Sequence, residues 1–175
     1  MGVGADYLRL SLTDRCNLNC VYCTPLEKGG FLRHSDLLRH EEIARAVAAF
    51  VKAGVRKVRL TGGEPLLKKN IVGLVKMLRD IPGLEELALT TNGLLLAELA
   101  APLREAGIDR VNISLDSLKR EVFEKITGHR PGAFERVRRG VEAALERIPE
   151  PLDEAKLAEA AKPPEAVDTA AVRTH

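Results

Sequence analysis

Four apolar runs, each followed by a turn-rich segment and then an amphipathic stretch, confine this chain to a parallel α/β architecture. Residues 7–12, 55–60, 86–90 and 111–115 have the composition of strands, and 41–53, 71–78, 95–106, 119–127 and 133–146 carry helical spacing. Gly54, Pro82-Gly83 and Gly107 stop the first three helices, and Pro102 is expected to kink or restart the third. Strands that alternate with helices are joined by right-handed crossovers, so every strand-to-helix loop falls on the carboxyl edge of one sheet. Barrels and open α/β sheets place their sites on that edge. The unusual sequence of this chain lies in those loops.

After the first strand comes Cys16-Asn17-Leu18-Asn19-Cys20-Val21-Tyr22-Cys23, which holds all 3 cysteines of the chain. This spacing lets one short loop aim three thiolates at a single point. Iron–sulfur clusters are held by thiolates, usually four, so three would leave one iron open to a small molecule. A zinc site completed by His34 or His40 is the alternative, although zinc knots usually pair their ligands across a long spacer and no second pair is present. Tyr22, beside the last cysteine, would be a wall of the site or simple packing.

After the second strand, Gly62-Gly63-Glu64-Pro65 allows a ligand to approach the backbone closely. Glu64 could accept from a cationic amine, although the tetrapeptide is equally an ordinary turn. Thr90-Thr91-Asn92-Gly93 and Ser114-Leu115-Asp116 offer hydroxyl, amide and carboxylate groups, and Asp116-Ser117 could equally cap the next helix. Arg9 and Arg59 stand inside apolar strands, where a guanidinium needs a partner. Turned toward the loops, they supply forks for phosphate or purine edges; turned outward, they would pair with acids. Arg15, next to Cys16, would tune the metal site or pair with Asp14.

Composition narrows the rest. Acids and bases are interleaved to a net charge of +2, which gives no electrostatic case for nucleic acid. No apolar run is long enough to span a bilayer, and the first residues lack a signal-peptide pattern. The expectation is a cytoplasmic chain with no membrane partner, its clustered thiols reduced. Oligomeric state is left open, and a homo-oligomer is compatible with the sequence.

Together, Cys-x3-Cys-x2-Cys after one strand and Gly-Gly-Glu-Pro after the next resemble the radical S-adenosylmethionine superfamily. Within it, Arg9–Asn17, Arg59–Leu66, Thr90–Gly93 and Asn112–Ser117 are similar to the GTP 3′,8-cyclases of molybdenum cofactor biosynthesis, over residues 6–146. The resemblance implies a partial (β/α) barrel of about four units. It implies a [4Fe–4S] cluster on Cys16, Cys20 and Cys23, and S-adenosylmethionine held by Tyr22, Gly63 and Ser114 with Glu64 near its amine. It implies GTP on Arg9, Arg59 and Thr90, and an electron donor as partner. The activity implied is that of a lyase: reductive cleavage of S-adenosylmethionine, hydrogen abstraction from GTP, and closure to 3′,8-cyclo-GTP.

A full eight-unit barrel takes roughly 250 residues, and this chain has 175. The family carries a second cluster, with its own cysteines, in a later half, and no cysteine follows Cys23. The expected organisation is therefore a barrel domain over 1–146 and a divergent, mobile tail over 147–175, with a short helix near 153–161. Full GTP cyclisation by this chain alone is expected to be weak or absent. Another radical-type substrate and a non-catalytic metal-binding remnant are the other readings.

Overall fold

The computed structural model describes residues 5–23, 31–128 and 130–148. Strands β1 (Tyr7–Ser11), β2 (Lys57–Thr61), β3 (Glu86–Thr91) and β4 (Arg110–Ile113) form one sheet in sequence order, every pair parallel. Helices α1 (His40–Lys52), α2 (Ile71–Arg79), α3 (Leu96–Glu105), α4 (Arg120–Ile126) and α5 (Ala133–Arg147) follow the strands. Helix α1 begins where sequence dictates: the Glu42 carboxylate accepts from the Arg39 amide at 2.7 Å, satisfying a first-turn donor. Helix α3 runs unbroken through Pro102, neither kinked to a stop nor restarted, and the Ala106 amide still reaches the Pro102 carbonyl at 3.0 Å. The proline ring removes only one donor, and the apolar side chains Leu96, Ala100 and Leu103 bury the helix on either side of it.

The two faces of the sheet differ. Registered partners in parallel strands share a face. One face carries rows such as Leu10–Leu60–Leu89–Val111, and the helices pack onto it. Leu60, Leu74, Leu87, Leu89, Leu96 and Leu103 are sealed from solvent there, each contributing roughly 1.5–3 kcal/mol by leaving water. The other face carries the rows Arg9–Arg59–Ala88–Arg110 and Thr90–Asn112. Apolar alternation thus drives one face into the core and leaves a polar face opposite.

Among the described residues, no helix is long and apolar enough to cross a membrane. Helix α5 continues through Arg147, and Ile148 is buried in the core, so the fold extends two residues into the segment expected to be tail. The expected helix near 153–161 lies outside the described residues, as does the rest of that segment.

Candidate functional site

The cysteine loop and the Gly-Gly turn meet backbone to backbone. The Leu12 amide donates to the Thr61 carbonyl at 2.9 Å, Gly63 to Thr13 at 2.7 Å and Glu64 to Arg15 at 2.7 Å. These bonds continue the β1–β2 ladder into the loops. A Cβ on Gly62 would lie 2.5 Å from the Thr13 carbonyl oxygen, and one on Gly63 would lie 2.6 Å from the Arg15 carbonyl carbon. Glycine at both positions is therefore what lets the two loops touch.

Glu64 sits behind this contact. Only 1% exposed, it accepts from the Leu66 amide at 3.0 Å, the Thr91 hydroxyl at 2.7 Å and the Asn92 amide at 2.8 Å. Burial pushes its carboxyl above the usual range, and the three bonds pull the other way. The sequence offered Glu64 to an incoming amine. In the fold three donors already hold it, two on Oε1 and one on Oε2, and it pins the β2 turn to the end of β3. Asn92 passes this connection onward, donating to Asn17 Oδ1 at 2.7 Å and to Cys16 Sγ at 3.7 Å.

The thiols are accessible: Cys16 and Cys23 are exposed and Cys20 is half-buried. Among the described residues no group of three Cys, His, Asp or Glu side chains is already arranged to hold a metal ion. Partial burial raises the Cys20 pKa and the neighbouring Cys23, Asp116 and Cys16 raise it further, while Tyr22 opposes them. Ligand thiolates gather when a metal compensates them. The donor set itself, three thiols on one exposed turn against a glycine-floored edge, fits an iron–sulfur cluster.

Tyr22 donates to both Asp116 oxygens, at 2.9 and 3.1 Å. Partial desolvation and these bonds raise its phenol pKa well above the ordinary value. Asp116 is thus neither a helix cap nor a free acid, and Ser117 accepts from the Lys119 amide at 3.1 Å. Ser114 is exposed at the end of β4, its amide bonded to the Thr91 carbonyl at 2.8 Å. Arg15 neither faces the thiols nor pairs with Asp14: its guanidinium lies 5.2 Å from the Phe31 ring centroid, and Asp14 accepts from the Leu32 amide at 2.5 Å.

Arg9 and Arg59 are registered neighbours on the polar face. Arg59 lies 5.8 Å from the Tyr7 ring centroid, and its Nε is enclosed without a hydrogen-bond partner. Thr90 stands half-buried one row further on, registered with Asn112. Sequence reasoning missed Arg110, which shares the arginine row through Ala88 and contacts Glu86 at 3.9 Å. Its signal was available, since Arg110 opens a strand as Arg9 and Arg59 sit within theirs.

Residues 10–154 match the family described as the radical SAM superfamily. The chain belongs to that superfamily. The fold is accordingly a partial (β/α) barrel of the superfamily's type, which the solved structures support. The chain is 50% identical over 145 residues to a GTP 3′,8-cyclase of Petrotoga mobilis, covering 83% of this chain and 44% of that protein. It is 51% identical over 140 residues to molybdenum cofactor biosynthesis protein 1 of Drosophila melanogaster, covering 80% of this chain and 24% of that one. The chain thus spans less than half the length of these curated relatives. Among solved structures, anSMEcpe with bound AdoMet superposes with a TM-score of 0.60 at 22% identity, covering 82% of this chain and 40% of that one. Methylornithine synthase gives 0.58 at 19% identity, covering 78% and 41%.

Proposed function

We propose that this chain is the cofactor-binding half of a radical-type GTP 3′,8-cyclase acting in molybdenum cofactor biosynthesis. The observation that carries the reading is the joined edge: a three-thiol loop bonded directly to the Gly62-Gly63 turn, with paired arginines on the polar face below it. Cys16, Cys20 and Cys23 would ligate a [4Fe–4S] cluster, with S-adenosylmethionine beside it against Tyr22, Gly63 and Ser114. When bound, the cluster supplies the low-potential electron that cleaves the sulfonium of that cofactor.

The residues bind and orient. The turn at Gly62-Gly63 presents backbone where a ligand can lie flat against it. Asn92 directs an N–H at Cys16 sulfur, a contact of the kind that shifts cluster potential. Arg9 and Arg59 offer charge-assisted donors to GTP, the Arg59 Nε being a donor that lacks a protein acceptor. Thr90 adds a hydroxyl on the same face. Fixing nucleotide and cofactor on one edge replaces a bimolecular encounter with a positioned one, a term worth up to roughly 7–11 kcal/mol in favourable cases. The GTP assignment draws support from the names of the relatives, and the arginine row is consistent with it.

Anaerobic reconstitution with iron and sulfide, followed by metal counting, tests the first part. Adding S-adenosylmethionine and dithionite and measuring 5′-deoxyadenosine tests the second. One zinc per chain with neither iron nor sulfide would favour a metal-binding module instead. Cluster and 5′-deoxyadenosine without GTP binding would point to another substrate.

A further inference from the structure

The cysteine loop is held from two sides, and the Gly-Gly turn is only one of them. The second hold comes from residues more than ninety positions away. The Val21 amide donates to the Ile126 carbonyl at 2.8 Å and the Asn19 amide to the Thr127 carbonyl at 3.3 Å. The Arg130 guanidinium donates to the Asn17 carbonyl. Gly128 has φ +82°, and a Cβ there would lie 2.7 Å from the Asn19 carbonyl oxygen. Thr127 is buried and anchors the turn by donating to the Phe123 carbonyl at 2.9 Å. Phe123 in turn packs edge-on against Phe134 in the second core cluster. The Tyr22–Asp116 bond closes the far end of the same seam.

We infer that Asp116, the Ile126 and Thr127 carbonyls at the end of α4, Gly128 and Arg130 are a positioning device for the cysteine loop. They dock its Asn17–Tyr22 arc onto the β4–α4 unit and so fix where the thiols can gather. Asp116 acts through Tyr22, and Arg130 acts through the Asn17 carbonyl. Helix α4 ends at this turn, where its terminal carbonyls need partners. The Val21 and Asn19 amides provide them, so the helix end and the loop each satisfy the other. A loop tied only at its base to the Gly-Gly turn would leave Cys20 and Cys23 at the end of an unsupported arm. Tied at both ends, the arc loses less entropy when the thiols close on a metal. The docking stands on the contacts themselves. Its use in cofactor placement rests on the cluster reading above.

Hydrogen exchange by mass spectrometry, on the intact reduced metal-free chain, measures the docking directly. Asp116→Ala and Tyr22→Phe should each speed exchange of peptides spanning 17–23 by about fivefold to tenfold, the loss expected for one solvent-exposed hydrogen bond of ordinary net strength. The double variant should be no faster than the faster single, because both remove one bond. Asp116→Asn, which keeps an acceptor oxygen, should recover most of the protection. Gly128→Ala should deprotect the same peptides without touching Tyr22. After reconstitution, Asp116→Ala should retain iron yet broaden the change in the cluster's EPR signal on adding S-adenosylmethionine, and Asp116→Asn should restore it. Wild-type exchange in all variants, or additive effects in the double, would overturn the inference. Exchange that responds as expected in a chain that takes up no iron would keep the docking and remove the cluster reading, so the two failures are distinguishable.

Discussion

Replacing Glu64 by alanine should cost about 3–5 kcal/mol of folding stability. The figure follows from its partners. The carboxylate accepts three hydrogen bonds, two of them from the buried Thr91 hydroxyl and the buried Leu66 amide. Orphaning a buried donor costs about 1–3 kcal/mol. The half-buried Asn92 amide can turn to water and adds less. The cavity left by the side chain adds a further term. Domains of this kind are stable by roughly 5–15 kcal/mol, so the loss would be plain in urea denaturation followed by circular dichroism under reducing conditions. Glu64→Gln keeps the volume and one acceptor oxygen and should cost less. The pH dependence carries a sign. The folded pKa of Glu64 lies above its ordinary value of 4.5. Such a group contributes its full stability below the unfolded pKa and loses it as pH rises through the folded one. Glutamine does not titrate, so the advantage of wild type over Glu64→Gln should shrink between pH 4 and pH 7. An alanine variant within 1 kcal/mol of wild type would refute the clamp, and an advantage that grows with pH would show the three donors outweighing burial and refute the raised pKa.

Four other outcomes are expected. Gly63→Ala drives a methyl into the Arg15 carbonyl and should cost about 1–3 kcal/mol; the same urea curves read it, together with loss of the spectral change on adding S-adenosylmethionine. Serine at any one of Cys16, Cys20 or Cys23 should reduce iron and sulfide in the reconstituted chain to background by chemical assay. Charge reversal at both Arg9 and Arg59 should weaken GTP about tenfold to a hundredfold in calorimetry, two charge-assisted contacts discounted for an open face, and leave S-adenosylmethionine binding unchanged. Asp109→Ala removes the acceptor of both Arg79 Nη1 at 2.9 Å and the Leu87 amide at 2.8 Å, and should cost about 1–2 kcal/mol in denaturation without affecting iron content.

The backbone plan was legible because its period was. Strands and helices fall within about two residues of where alternation placed them, since β4 and α1 each have the apolar spacing of their class and little competing signal. The carboxyl-edge position of the cysteine, glycine and Thr-Asn loops follows from that order alone. What the sequence concealed was direction. A carboxylate after two glycines is free to point either way, and Glu64 is oriented by three donors from elements up to 28 residues distant. Asp116 reads as a cap because a short acid before a helix often is one, and its partner Tyr22 lies 94 positions earlier. Arg15 turned to Phe31 rather than to the thiols for the same reason. Pairings across a sheet edge are set by tertiary neighbours that no local pattern encodes.

The one-sided sheet has an electrostatic consequence. Its arginine row faces water, and among the described residues β1 and β4 each pair on one side only. A phosphate 4 Å from a guanidinium gains about 1 kcal/mol when bulk water surrounds the pair and about 4 kcal/mol where the effective dielectric falls to 20. On the open face, mobile counterions screen the attraction within roughly 10 Å at 0.1 M salt. Nucleotide held there by charge alone should therefore be released by modest potassium chloride. Covering that face would make the same guanidiniums grip several times harder with no change in their own coordinates.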